Sequence, residues 1–108
     1  MSTDAAAPLE IGGHTFRRED FEVILRLGPG GSVLHETNAA EDLPDVVAYT
    51  ARLAELIGGA LGLERFVAME CVFKTARYFV VAEGAGRACA LRPRPSADLT
   101  VARVLFGL

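Results

Sequence analysis

Apolar and polar positions change period once, sharply, within residues 42–73. Asp42-Leu43-Pro44-Asp45 reads as a helix start: Asp42 suits a cap, Pro44 tolerates a first turn, and Asp45 sits at the positive end of the backbone dipole. Beyond it Val46, Tyr49, Leu53, Leu56, Ile57, Ala60 and Leu61 recur at helical spacing as one apolar face. A second stripe carries smaller residues, Val47, Ala51, Ala54 and Gly58, with Thr50 beside it. Gly58-Gly59 costs roughly 1 kcal/mol per glycine relative to Ala, a cost that either marks fraying before Gly62 or permits close packing of a partner helix against the small stripe. Residues 65–73 then read as a strand, apolar on both alternating faces apart from Glu70. Such a strand needs cover on both sides.

The remaining elements are shorter. Residues 9–16 suit a tiny hairpin around Gly12-Gly13, followed by one helical turn within 15–20. Residues 21–27 alternate as a strand with Phe21, Val23, Leu25 and Leu27 on its core face. Gly28-Pro29-Gly30-Gly31 turns the chain into a more polar edge strand over 32–37. Strands follow over 77–82 and 87–92, separated by the Gly84-Ala85-Gly86 turn. A last helix over 96–106 carries Leu99, Ala102, Leu105 and Phe106 on one side.

With 108 residues, the pattern describes a loose tail over 1–8 and a single domain over 9–108. Hydrophobic residues make up 51% and charged ones 23%, more apolar surface than a small monomer hides, which argues for association. A formal charge of −3 argues against a nucleic-acid surface. No apolar run has the length of a membrane span, and residues 1–8 lack the features of a secretion signal. Cys71 and Cys89, two in all, fit a reduced cytoplasmic protein.

A search for chemistry ends without an active site, metal site or cofactor site. The 28–32 glycine turn lacks the Gly-Lys-Ser/Thr of a phosphate loop. His14, His35 and the two cysteines match no zinc spacing, and His35 and Glu36 point to opposite faces of a strand. Cys71 and Cys89, on strands separated by a third, are out of disulfide reach and read as small buried hydrophobes. Glu70 pairs with Arg77 or Arg65 or, at a two-fold axis, meets its own copy.

The order strand, strand, helix, three strands, helix resembles the Roadblock (dynein light chain) family, closest to the bacterial Mgl-type GTPase regulators. Similar features are the 21–27 strand with its Gly-rich turn and the helix end Ile57-Gly58-Gly59-Ala60-Leu61-Gly62. The tail resembles it too, where Arg87-Ala88-Cys89-Ala90-Leu91 leads through Pro95-Ser96-Ala97-Asp98-Leu99 into a helix. The resemblance covers residues 21–106 and departs at the ends. Gly12-Gly13 leaves room for hardly more than a turn where the family has an opening helix, and the closing helix runs out at Leu108.

The resemblance implies an α+β sandwich: a five-stranded antiparallel sheet of order 2-1-5-4-3 (counting from residue 21), the long helix on one face and the short C-terminal helix on the other. It further implies a non-enzymatic dimer, formed with itself or a Roadblock relative. The strand after the central helix would pair with its counterpart through Phe66, Val67, Met69, Glu70, Cys71 and Phe73. The helix face toward the partner would be Val47, Thr50, Ala51, Ala54 and Gly58. Such a scaffold binds and modulates a small Ras-like GTPase in polarity or motility regulation, without membrane insertion. The alternative is a structural subunit that heterodimerises with a Roadblock protein and meets no GTPase. Arg52, Arg65 and Arg103 are candidates for an arginine finger, with plain surface charge the preferred reading.

Overall fold

A computed structural model describes residues 8–62 and 68–107. Seven strands and two α-helices follow in the order β1 (Leu9–Ile11), β2 (His14–Phe16), β3 (Phe21–Leu27), β4 (Val33–Thr37), α1 (Leu43–Ala60), β5 (Ala68–Phe73), β6 (Ala76–Gly84), β7 (Arg87–Pro93) and α2 (Asp98–Phe106). β1 and β2 form a separate hairpin, and the other five make one antiparallel sheet of order β4-β3-β7-β6-β5. This is the strand order expected from the resemblance.

Two apolar layers flank the sheet. On one face α1 seals Val23, Leu25, Leu27, Tyr78, Val80 and Ala90 with Leu43 and Val47. On the other face α2 and the β1–β2 hairpin cover Ile24, Phe79, Val81, Cys89 and Leu91 with Leu9, Ile11, Phe16, Val101 and Leu105. Within the hairpin Gly12 and Gly13, at φ +59° and +82°, turn the chain, and Leu9 and Ile11 point inward. A 3-10 turn over Arg18–Asp20 then leads into β3.

Two details differ from the expected pattern. Phe21 does not share a face with Val23, Leu25 and Leu27. A register shift between Phe21 and Val23 in the pairing with β7 moves Phe21 to the α2 side, where its ring meets Phe16 edge-on at 5.6 Å. α2 buries Val101 and Leu105, one turn apart, while Leu99 faces outward. The cysteines are free and separated by β6, and they face opposite layers, Cys71 toward α1 and Cys89 toward α2.

Candidate interaction surface

The orientation of α1 decides which residues meet a partner. Its small stripe points inward: Val47 is 2% exposed, Gly58 is buried, and Thr50, Ala51 and Ala54 are half-buried, with Ala51 packed on the inner cluster. Val47, Thr50, Ala51, Ala54 and Gly58 therefore do not form an outer partner face, which corrects the expectation above. The physical reason is the sheet. Its α1 side already carries large residues, so a helix lying flat on it needs small side chains to approach.

The large residues of α1 point out. Tyr49 is 69% exposed, Leu53 42%, Leu56 63% and Ile57 51%. On a solvated helix face this stripe is an apolar patch without cover among the described residues. The sequence lays the stripe out plainly, but size alone suggests the wrong face, because the larger residues read as core.

β5 is an edge strand. It pairs with β6 from Ala68↔Val81 to Phe73↔Ala76, and no described strand lies on its other side. Met69, Cys71 and Phe73 turn toward α1 and are half-buried against the inner cluster. Glu70 and Val72 lie on the α2 side and are exposed. Phe66 and Val67 lie outside the described residues. Burial, with a smaller effect of the Glu70 charge, pushes the Cys71 thiol up from its ordinary value.

Arg77 organises the outer side of β5. It faces Glu70 at 3.6 Å, forms an ion pair with Asp98 in the first turn of α2, and lies 5.3 Å over the Phe79 ring. Phe79 in turn meets Phe106 edge-on at 5.6 Å. Arg77, rather than a second carboxylate, is thus the neighbour of Glu70 within the chain.

The groups weighed for chemistry are engaged elsewhere. His35 Nε2 lies 3.1 Å from Thr37 Oγ1, while Glu36 accepts the Ala39 N–H at 3.1 Å. The 28–32 turn closes on itself through Gly28 N–H to the Ser32 carbonyl at 2.8 Å. Among the described residues no three His, Cys, Asp or Glu side chains gather as a metal site, and no helix is long and apolar enough to cross a membrane.

This is an α+β sandwich that leaves an apolar stripe on α1 and an open edge on β5 without cover among the described residues. The architecture is that of the Roadblock/LC7 fold. A crystal structure of a Roadblock/LC7 domain from Streptomyces avermitilis is similar to this chain, with a TM-score of 0.51 and 18% identity over 82% of this chain and 88% of that one. No family model matches the sequence, and no curated protein matches it.

Proposed function

We propose that the chain is a non-catalytic, dimerising scaffold that receives a small Ras-like GTPase. The observation that carries this is the pairing of an outward apolar stripe on α1 with an open edge on β5. Exposed edges template pairing with another chain, and a two-fold union of identical strands covers both β5 edges at once, leaving the β4 edges at the two ends of the joint sheet. In this reading Met69, Glu70 and Cys71 lie near the axis. Tyr49, Leu53, Leu56 and Ile57 supply the helix surface in place of the small stripe.

Magnitudes support using both features together. Fully burying a Leu-sized side chain is worth about 1.5–3 kcal/mol, so covering four half-exposed ones gives on the order of 4 kcal/mol per chain. Association costs about 4–15 kcal/mol before any affinity appears. Two such stripes in a two-fold pair give on the order of 8 kcal/mol, inside the range of that cost, so they leave little surplus by themselves and strand pairing adds to it. The Ras-like partner follows from the Roadblock resemblance, which also suggests a cytoplasmic role in polarity or motility control. Such a dimer acts by holding a GTPase in a competent geometry.

Light scattering on the purified chain tests the dimer. Pull-downs against GDP and GTP-analogue forms of the Ras-like GTPases from the same source test the partner. Binding that differs between the two forms is expected, and a dimer that retains none of them in either form removes the GTPase. One observation favours a second reading. The β1–β2 hairpin precedes β3 where the resemblance implies an opening helix, which suits a structural subunit whose mate is a different Roadblock protein. A purified chain that stays monomeric until such a mate is added supports that reading.

A further inference from the structure

Arg52 of α1 and Arg87 at the start of β7 line the same pocket of about 270 Å³ beside α1. Cations elsewhere in the described structure are mostly committed. Arg17, Arg26, Lys74, Arg77 and Arg92 face carboxylates, and Arg94 donates to the Glu19 carbonyl. Arg18 has a partner as well. Among the described Lys and Arg residues this leaves Arg52, Arg87 and Arg103 without one, and two of those three share the pocket. In a chain of net charge −3, such a pair is not part of a generally basic surface.

The pocket floor is made for close approach. Gly30 and Gly86, from the β3–β4 and β6–β7 turns, line it at φ +79° and +78°, conformations that favour glycine and leave bare backbone. A Cβ placed on Gly30 would meet nothing within 4 Å. The same wall contains Ala51 and other methyl-sized side chains, and one carboxylate, Glu55, which makes no ion pair with Arg52. The charged lining is thus two guanidiniums against one carboxylate, a net positive site.

We propose that this pocket binds the phosphate monoester group of a small molecule. Two planar guanidinium forks match the oxygens of a phosphate better than a carboxylate, which offers two oxygens. The volume falls below the roughly 300–1,000 Å³ of drug-sized sites, so the pocket takes a phosphate and a few attached atoms. This inference does not rest on the docking reading, because Ala48, Ala51 and Glu55 place the pocket on another flank of α1 from the Tyr49, Leu53, Leu56 and Ile57 stripe, with Arg52 at the border between the two.

The test titrates inorganic phosphate, and separately glycerol 3-phosphate, into the isotope-labelled full chain at fixed ionic strength. Amide shifts of Gly30 and Gly86 are followed by NMR. Saturable shifts are expected with both probes. Arg52→Ala and Arg87→Ala each weaken binding roughly tenfold, the double variant abolishes it, Glu55→Gln tightens it, and Arg103→Ala leaves it unchanged. The dispersed spectrum of each variant confirms that it is folded. Non-saturating shifts, equal weakening by Arg103→Ala, equal binding of acetate, or exclusion of glycerol 3-phosphate would each overturn the proposal.

Discussion

Arg26 of β3 reaches across β7 to Glu83 of β6, its Nη2 donating to the carboxylate at 2.5 Å and also to the Glu10 carbonyl at 3.0 Å. Glu83 falls at the register shift between Ala82 and Gly84, so the irregularity in β6 coincides with the pair. The two side chains are 31% and 13% exposed. Breaking a fully buried pair costs about 3–5 kcal/mol, which partial exposure reduces to about 2 kcal/mol here. Arg26→Met is expected to lower stability by that amount in urea unfolding. Arg26→Met/Glu83→Met recovers only part of it, because the Glu10 carbonyl still loses its donor and the hairpin its tie to the sheet.

The β5–β6 turn is made by Lys74 and Thr75, both at positive φ, +50° and +64°. A β-branched residue there is strained, because its Cβ crowds the backbone, at a cost on the order of 1 kcal/mol. Thr75→Gly should raise stability by about 1 kcal/mol. Chemical denaturation with an unchanged m-value would bear this out.

Much of the fold was legible because its signals are local. The alternation in 21–27, the glycine turns and the Pro93 and Pro95 stops place strands without tertiary information. The small hairpin was legible from Gly12-Gly13. What the periodicity did not reveal was which way α1 faces. Two apolar stripes on one helix are equally periodic, and only the bulk of Val23, Leu25, Tyr78 and Val80 on the sheet selects the small one for burial. The switch of face at Phe21 was hidden for a similar reason, since a bulge depends on the pairing partner. The Arg52–Arg87 pocket joins residues 35 positions apart and has no sequence motif.

The two thiols should differ in reactivity. Cys89 is fully buried and its thiol is pushed far up, chiefly by burial, so alkylation should occur only on unfolding. Cys71 is half-buried with a smaller upward shift, so it should react slowly at pH 8. If β5 pairs in a dimer, dilution through the dissociation range should speed Cys71 labelling and leave Cys89 unchanged. Mass spectrometry of the alkylated chain reads both sites at once.

Lys74 also holds Asp42, its Nζ 2.8 Å from Oδ2, joining the β5–β6 turn to the start of α1. This contact lowers the Asp42 pKa below its ordinary value of 3.8. Because the folded value is the lower one, the contribution is fully present above the unfolded pKa and is lost as pH falls through the folded value. Lys74→Gln should move the Asp42 titration, followed by carboxyl NMR, upward toward the ordinary range. The pair is well exposed, so 1 M salt should produce much of the same shift in the unmodified chain.

The two stripes of α1 give the most direct separation of folding from association. Leu56 is 63% exposed, so Leu56→Asp removes little from the monomer and should change its stability by no more than about 0.5 kcal/mol. In a two-fold dimer the same change strikes twice, and weakening on the order of tenfold to hundredfold follows from the lost apolar burial. Light scattering should show the mass falling toward one chain at concentrations where the unmodified protein is paired, with the thermal midpoint extrapolated to dilute chain unmoved. Val47→Asp places a charge at a position only 2% exposed and should instead unfold the chain. If Leu56→Asp and Leu53→Asp both leave the mass unchanged while the chain remains a dimer, the outward stripe is not the contact, and the union rests on β5 alone.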